Sequence, residues 1–228
     1  MEGKNVAIVL AAGQGKRMKT AVQKQYLLIK GKPVLYYSLK AFEDCPFIDE
    51  IILVTGKEEI AYCQREIVAQ YGFTKVKQIV PGGKERYHSV FEGLKAIQDC
   101  QYVYIHDGAR PFLNGEILER ARAAVVESKA CVVGMPVKDT IKISDGTGIA
   151  VETPRRDLVW MIQTPQVFSY DLIFGAYKKL LEGDTIPVTD DAMVLEVMEN
   201  KQVRLVEGSY QNIKITTPED LVIAEAFL

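Results

Sequence analysis

The sequence lacks the cysteine pattern of a disulfide-rich or metal-binding protein. Its four cysteines are widely spread, with no C-x-x-C pair and no neighbouring histidine at metal-ligand spacing. We therefore expect reduced thiols with mostly structural roles at Cys45, Cys63, Cys100 and Cys131.

Long apolar runs and a strong charge of one sign are also missing. The apolar segment 5–12 is too short for a signal-peptide core, and no run approaches membrane-spanning length. The formal net charge of −2 argues against a dedicated nucleic-acid binder. We therefore expect a cytoplasmic protein that binds neither membrane nor nucleic acid.

Positive charge is nevertheless concentrated at the start of the chain. Residues 1–40 hold eight lysines or arginines and one acid, Glu2, whereas the remaining residues hold 20 basic and 29 acidic side chains. This part of the sequence suits an anionic ligand, although a solvated basic surface would have the same composition.

Short β-branched apolar runs alternate with longer amphipathic stretches, which is typical of an α/β protein. Near-continuous apolar runs such as I-I-L-V and Y-V-Y-I indicate a mostly parallel sheet with helices on both faces. We predict a single domain over residues 1–228, with an inserted hairpin or arm at about 137–160. Strands are predicted at 5–11, 50–55, 75–80, 102–106, 130–136, 202–206 and 212–215, and helices at 33–42, 57–71, 85–98, 114–129, 169–181 and 217–227.

Polar segments follow three of the predicted strands. A-A-G-Q-G comes after the first strand, P-G-G-K-E-R after the third and H-D-G-A-R-P after the fourth. Ligands of parallel sheets bind beyond the carboxyl ends of the strands. We therefore expect the three segments to form one site.

The first of these segments, L-A-A-G-Q-G-K-R-M at residues 10–18, indicates a phosphate-binding loop. Small residues after a buried strand let backbone N–H groups approach phosphate oxygens closely. The loop is not a P-loop, which needs Ser or Thr after G-K, nor a dinucleotide fingerprint, which needs a third glycine where Met18 stands. A tight turn with a basic surface remains an alternative. A triphosphate attacked at its α-phosphorus would suit the cations that follow, Lys16, Arg17, Lys19 and Lys24.

A series of motifs runs in order from residue 11 to residue 216: A-A-G-x-G-x-R-M, K-Q-Y, G-G-x-x-R-x-x-S, H-D-x-A-R-P, P-x-x-D-T, T-P-Q, T-D-D-A and N-I-K-x-T. Together they resemble the 2-C-methyl-D-erythritol 4-phosphate cytidylyltransferases of the non-mevalonate isoprenoid pathway. The resemblance implies a Rossmann-like nucleotidyltransferase fold with an extended β-arm for homodimer formation. It also implies transfer of CMP from CTP to methylerythritol phosphate, with Mg²⁺ held mainly by the CTP phosphates and water.

The resemblance further implies roles for particular residues. Arg17 and Lys24 would stabilise the transition state at the α-phosphorus, which suits their positive charge. CTP would contact Ala11, Ala12, Gly13, Gly15, Gly83, Lys84, Ser89, Asp107 and Lys214. The acceptor would contact Asp107, Arg110, Thr140, Arg156, Thr164, Thr189 and Lys214, with Thr140 and Arg156 reaching the site from the partner's arm. Arg155 is an alternative to Arg156.

Two departures from the family pattern affect these expectations. The family usually has proline before K-Q-Y, where this chain has Gln23, so we expect a looser approach to Lys24. It often has an acid where Lys84 stands, which puts a side-chain role there in doubt.

Structural roles remain possible for several of these residues. Gly82 and Gly83 would also suit a strand-ending turn, Lys214 a surface salt bridge, and Asp107 with Arg110 an internal ion pair. We interpret His88 and His106 as structural, because a phosphate anion needs no base to attack. Asp190 and Asp191 are not assigned to a metal.

Two other functions are weighed against this one. Ribitol-5-phosphate cytidylyltransferases share most of the motifs, although H-D-G-A-R, T-P-Q and T-D-D-A favour methylerythritol phosphate. A catalytically silent nucleotide-binding regulator is the alternative from another class. It would have no physical need to keep the charges of Arg17, Lys24, Asp107 and Lys214.

Overall fold

The computed structural model describes residues 3–13, 22–183 and 186–228. In chain order its strands are β1 (Asn5–Ala11), β2 (Leu28–Ile29), β3 (Lys32–Pro33), β4 (Glu50–Thr55), β5 (Val76–Pro81), β6 (Tyr102–Asp107), β7 (Ala130–Pro136), β8 (Ile143–Ser144), β9 (Ala150–Glu152), β10 (Trp160–Ser169) and β11 (Arg204–Glu207). Its α-helices are α1 (Val34–Glu43), α2 (Ile60–Tyr62), α3 (Arg86–Ala96), α4 (Gly115–Ser128), α5 (Tyr170–Glu182), α6 (Asp191–Glu199) and α7 (Pro218–Phe227). Short 3₁₀ helices lie at Lys24–Tyr26, Lys57–Glu59 and Arg156–Leu158, and a π-helix at Cys63–Ala69.

The central sheet has the strand order β11-β7-β10-β6-β1-β4-β5. Strand β1 pairs in parallel with β4 and β6, and β4 with β5, whereas β10 runs antiparallel to both β6 and β7. The predicted mostly parallel sheet is therefore confirmed. The carboxyl ends of β1, β5 and β6 consequently point to the same edge of the sheet.

Apolar side chains cover both faces of the sheet. On β1, Ala7 and Val9 pack into the cluster shared with α1 and α4, while Val6 and Ile8 pack into the cluster shared with α3, α5 and α6. Successive residues of a strand point to opposite faces, so a strand buried on both faces reads as a continuous apolar run. This explains why such runs predicted the helices on both sides.

The local predictions are correct where apolar runs are clean. Strands at Asn5–Ala11, Glu50–Thr55 and Ala130–Pro136 have the predicted bounds. The strand predicted at 212–215 is wrong: the segment is irregular, and Ile215 N–H donates to the Ala109 carbonyl instead of a ladder partner.

The long strand β10 and the helix α6 were not predicted, nor were the two-residue strands β2 and β3. Strand β10 contains Pro165, which removes a backbone donor and argues against a central strand. The register shift between Ile162 and Gln166 takes the proline out of the ladder with β7, and the strand continues on either side.

The segment between β7 and β10 carries an exposed hairpin. Strands β8 and β9 pair with each other and form a sheet separate from the central one. Ile143, Ile149 and Val151 leave about half or more of their surface exposed there. This hairpin lies inside the predicted arm, and its role in dimer formation stays a prediction.

Among the helices in the described ranges, none combines the length and the apolar character needed to cross a bilayer.

Candidate active site

A cleft of about 670 Å³ opens where β1 and β6 end and where α3 begins. Every predicted CTP-binding residue in the described part of the chain lines it: Ala11, Ala12, Gly13, Gly83, Lys84, Ser89, Asp107 and Lys214. Lys24, on the 3₁₀ helix Lys24–Tyr26, lines it as well. Gly15 and Arg17, the other predicted CTP-binding and catalytic positions, lie outside the described residues.

The glycine turn after β5 packs directly against the loop after β1. A Cβ atom on Gly82 would lie 2.4 Å from the Ala12 Cβ, and one on Gly83 would lie 2.3 Å from the His88 Cβ. The Gly83 N–H donates to the Ser89 hydroxyl (3.1 Å), which donates to the Glu85 carbonyl (3.2 Å). Gly82 and Gly83 thus form a strand-ending turn, which was the structural alternative for these two residues. The same turn also forms one wall of the cleft.

Asp107, the last residue of β6, is the central anion of the cleft. Its Oδ2 lies 2.6 Å from the Lys214 Nζ and its Oδ1 lies 3.2 Å from the Arg86 Nε. Burial alone would raise the pKa of Asp107, but Arg86 and Lys214 hold this pKa well below its ordinary value. The carboxylate is therefore ionised at neutral pH and can accept hydrogen bonds. A surface salt bridge was the structural alternative for Lys214. Lys214 does form a salt bridge, with Asp107, and this pair lies inside the cleft.

Arg86 has no role in the sequence interpretation, although it belongs to the motif G-G-x-x-R-x-x-S. Its Nη1 and Nη2 donate to the two carboxylate oxygens of Asp191 at 2.9 and 2.8 Å. Asp191 is fully buried and also accepts a hydrogen bond from the Tyr177 hydroxyl (2.6 Å). In the sequence, only the motif could have indicated a role for Arg86, because its partner carboxylate, Asp191, lies 105 positions away.

The two carboxylates of the T-D-D-A motif bind protein groups. Asp190 caps α6, with Oδ1 accepting from the Met193 N–H (2.9 Å) and Oδ2 accepting from Gln166 Nε2 (2.9 Å). Asp191 pairs with Arg86, as described above. These contacts explain both aspartates without a metal.

A buried chain of hydrogen bonds supports the end of β6. The Asp107 N–H donates to the Thr164 hydroxyl (3.1 Å), which lies 3.0 Å from the His106 Nδ1. The His106 Nε2 lies 3.2 Å from the Arg110 carbonyl. Burial lowers the pKa of His106 to about 4, so the neutral ring donates from Nε2 and accepts at Nδ1. His106 is thus structural, as predicted, and Thr164 lies behind Asp107.

Arg110 lies in the turn that follows β6. Its Nη1 donates to the Asn212 carbonyl (2.8 Å), and its buried Nε has no hydrogen-bond partner in the structure. The proposed internal pair with Asp107 does not form, because the salt bridges of Asp107 go to Arg86 and Lys214.

Five predicted acceptor residues do not line the cleft: Arg110 and Thr164, whose contacts are given above, and Thr140, Arg156 and Thr189. Thr140 and Arg156 are exposed near the hairpin, where Arg156 Nη1 donates to the Lys138 carbonyl (3.0 Å). The alternative, Arg155, pairs with Asp157. Thr189 is exposed just before α6.

Gln23 occupies the position at which the family usually carries proline. Its φ of −65° is the angle that proline would impose. Its side-chain amide donates to the Glu59 carboxylate and accepts from Gln25, whose Nε2 also donates to the Ala11 carbonyl (2.6 Å). Side-chain hydrogen bonds thus contact the segment that proline would restrain, and the expected looser approach to Lys24 stays a prediction.

Comparisons with known proteins agree with the motifs gathered at this cleft. The family model described as 2-C-methyl-D-erythritol 4-phosphate cytidylyltransferase matches residues 5–228. Relatives of that name from Lachnoclostridium phytofermentans and Lachnospira eligens are 53% and 54% identical. The alignments cover 99% and 98% of this chain and 96% and 99% of theirs. The crystal structure of 4-diphosphocytidyl-2C-methyl-D-erythritol synthase from Anaerococcus prevotii is similar with a TM-score of 0.87 and 37% identity, covering 98% of this chain and 95% of that one. The chain belongs to the 2-C-methyl-D-erythritol 4-phosphate cytidylyltransferase family, and it is accordingly a nucleotidyltransferase.

Proposed function

We propose that this protein transfers CMP from CTP to 2-C-methyl-D-erythritol 4-phosphate in isoprenoid precursor biosynthesis. The products are 4-diphosphocytidyl-2-C-methyl-D-erythritol and pyrophosphate. The observation that carries the proposal is the cleft itself, which joins the loop after β1, the glycine turn after β5, ionised Asp107 and the cations Lys24 and Lys214.

The walls of the cleft suit a nucleoside triphosphate. Backbone groups of the small residues at 11–13 can approach phosphate oxygens without steric hindrance from long side chains. Gly83 and Ser89 are the groups proposed to contact the cytosine edge. Because Gly82 packs on Ala12, the base wall and the phosphate loop have a defined separation.

The chemistry proposed is in-line attack by a phosphate oxygen of the acceptor on the α-phosphorus of CTP. The P–O bond to pyrophosphate breaks as the new P–O bond forms, and no covalent enzyme intermediate is needed. The attacking oxygen is already anionic, so no general base is required. Arg17 and Lys24 are proposed to neutralise the charge that develops around the α-phosphorus.

The acceptor is proposed to bind at Asp107 and Arg110. The ionised carboxylate accepts hydrogen bonds from polyol or ribose hydroxyls, and Lys214 adds a cation beside it. Thr164 accepts a hydrogen bond from the Asp107 backbone N–H behind the cleft, and Thr189 is proposed to contact the acceptor.

Mg²⁺ is proposed as the metal that accompanies CTP. The carboxylates lining the cleft are Asp107, which already binds two cations, and Glu85, which caps α3. No group of three potential metal-binding side chains occurs in ranges 3–13, 22–183 and 186–228. This donor set fits an ion held mainly by triphosphate oxygens and water. When bound, the ion would neutralise the triphosphate and the departing pyrophosphate.

A homodimer is proposed to complete the acceptor site. Thr140 and Arg156 lie outside the cleft of their own chain and next to an exposed, partly apolar hairpin. Exchange of this arm between two subunits would bring these residues to the partner's cleft and cover the apolar side chains.

Pyrophosphate release tests the proposed function. Purified protein with CTP and Mg²⁺ is assayed in parallel with methylerythritol phosphate and with ribitol 5-phosphate. We expect release with methylerythritol phosphate, in agreement with the names of the relatives. Pyrophosphate release with ribitol 5-phosphate alone would show that the proposed acceptor is wrong. No release with either acceptor would favour the catalytically silent nucleotide-binding regulator.

A further inference from the structure

We propose that Arg86 is a positioning residue that sets the orientation of the Asp107 carboxylate, and that Asp191 and Tyr177 hold Arg86 for this task. The proposal rests on the proposed function, in which Asp107 binds the ribose and the acceptor. It assigns a role to three residues from α3, α5 and α6 that the motif-based interpretation left without one.

The first step is the anchoring of Arg86. Its guanidinium fork binds both oxygens of Asp191 (2.9 and 2.8 Å), an arrangement that fixes the plane of the group as well as its position. The Tyr177 hydroxyl binds the same carboxylate (2.6 Å). Gln166 Oε1 accepts from the backbone N–H of Asp191 (2.9 Å) and from that of Ala192 (2.9 Å). Asp191 therefore cannot turn away from Arg86 without breaking several buried contacts.

The second step is the contact with Asp107. With its terminal nitrogens bound to Asp191, Arg86 presents Nε to the Asp107 Oδ1 (3.2 Å). The other oxygen, Oδ2, faces Lys214 (2.6 Å). One carboxylate is thus held between two cations from different elements. Without Arg86 it would be free to rotate onto Lys214, and both groups would lose the orientation that the cleft requires.

The third step is the charge balance around Asp107. Arg86 and Asp191 keep 29% and 0% of their side chains exposed, so water compensates little for the loss of either charge. The charged and titratable groups facing Asp107 are Arg86 from α3, Lys214 from the segment after β11, Arg110 from the turn after β6 and neutral His106 from β6, with Asp191 of α6 behind Arg86. Burial raises the pKa of Asp107, and without the Arg86 charge mainly Lys214 and Arg110 would oppose this effect. The carboxylate would then take up a proton at higher pH.

The experiment compares Arg86→Met, Arg86→Lys and Asp191→Asn with the wild type. Arg86→Met keeps much of the side-chain length and removes the charge, Arg86→Lys keeps the charge and loses the fork, and Asp191→Asn weakens the anchor. Arg204→Met is the matched control, because Arg204 forms an exposed ion pair with Glu127 on the surface. Circular dichroism and thermal unfolding establish that each variant is folded.

The first readout is pyrophosphate release at neutral pH. We expect Arg86→Met to raise KM for the acceptor about tenfold or more, with a smaller change in kcat. Arg86→Lys should raise KM less than Arg86→Met, because it keeps the charge and loses only the fork, and Asp191→Asn should also raise KM. Folded variants with wild-type KM for the acceptor would overturn the proposal, even if their melting temperatures fall.

The second readout is CTP affinity measured by calorimetry in the absence of acceptor. We expect Arg86→Met to weaken CTP binding about tenfold and the Arg204→Met control to leave it unchanged. An inactive wild type that still showed this difference would refute the proposed function but not the positioning role. Unchanged affinity in folded Arg86→Met and Arg86→Lys proteins would refute the positioning role whatever the activity. If Arg86→Met does not fold, Arg86→Lys and Asp191→Asn decide the question.

Discussion

At the scale of single residues, the cleft combines side chains with very different surroundings. Lys24 lies on a short 3₁₀ helix, preceded by a residue whose side chain is hydrogen-bonded on both sides. His106 is fully buried and works through hydrogen bonds behind the cleft. The two residues should therefore respond to substitution in different ways, Lys24 in catalysis and His106 in stability.

Replacement of Lys24 by alanine should lower kcat much more than it weakens CTP binding. The charge that Lys24 is proposed to neutralise develops mainly in the transition state, so the ground-state complex should depend less on it. We expect a loss of about a hundredfold or more in kcat. Arg17→Ala should likewise lower kcat much more than it weakens CTP binding. Steady-state kinetics check this, and normal kcat with only a raised KM would contradict the assignment.

The burial of His106 should make stability depend on pH. Its pKa is lowered to about 4 in the folded protein, whereas the unfolded chain has the ordinary value of 6.5. The unfolded state therefore binds the proton first as pH falls, and the stability contributed by neutral His106 is present above 6.5 and is lost between 6.5 and about 4.

The expected loss over that interval is roughly 3 kcal/mol. His106→Gln should be less stable than the wild type at neutral pH because the buried hydrogen bonds change, and its stability should fall less steeply over the same interval. Denaturant unfolding at a series of pH values measures both slopes. Parallel slopes for the two proteins would show that His106 is not the group responsible.

At the scale of elements, the cleft depends on how closely the turn after β5 approaches the loop after β1. Gly82 N–H donates to the Thr55 carbonyl (2.7 Å), which ties the turn to the end of β4. On its other side the turn contacts Ala12. A hydrogen atom in place of a side chain is therefore a packing requirement at Gly82, whose φ is not in the left-handed region.

Gly82→Ala should raise KM for CTP about tenfold and lower the free energy of unfolding by about 1 to 3 kcal/mol. The added methyl group would lie 2.4 Å from Ala12 Cβ and 2.8 Å from Ser89 Oγ, so the backbone of the turn must move. Kinetics and denaturant unfolding measure the two effects.

The matched control for this substitution is Gly115→Ala at the first residue of α4, where an added Cβ meets no atom within 4 Å. It should leave kinetics unchanged and stabilise the fold by up to about 1 kcal/mol. If Gly82→Ala also had wild-type KM, the close approach would not matter for the nucleotide.

At the scale of the whole molecule, the residues proposed to bind the acceptor do not all lie in the cleft of one chain. The cleft collects the residues proposed to bind CTP, while Thr140 and Arg156 lie near the exposed hairpin. A dimer formed by arm exchange accounts for both facts. It also predicts that each cleft uses residues from two chains.

Subunit mixing tests this arrangement. Arg17→Ala and Arg156→Ala proteins should each have low activity alone, and mixing them should restore part of it. In a mixed dimer, one of the two clefts receives Arg17 from one chain and Arg156 from the other, so up to about a quarter of wild-type activity is expected if exchange is random. Subunit exchange is verified by native mass spectrometry. No rescue despite exchange would argue against shared sites.

What the sequence determined by itself was mainly local. Continuous apolar runs such as Asn5–Ala11 specify strands buried on both faces, because alternate side chains must enter opposite clusters. The order of the motifs was enough to place the glycine loop, the glycine turn and Asp107 at one edge of a parallel sheet. Lys24 and Lys214 joined them as predicted.

Only the tertiary structure decided which groups pair across the cleft. The bond from Arg86 to Asp191 depends on where α3 and α6 begin relative to β6, and no local pattern carries that information. Strand β10 likewise tolerates Pro165 because a register shift removes it from the ladder with β7. Propensities act between neighbours in sequence, whereas ion pairs and strand insertion depend on distances set by the completed sheet.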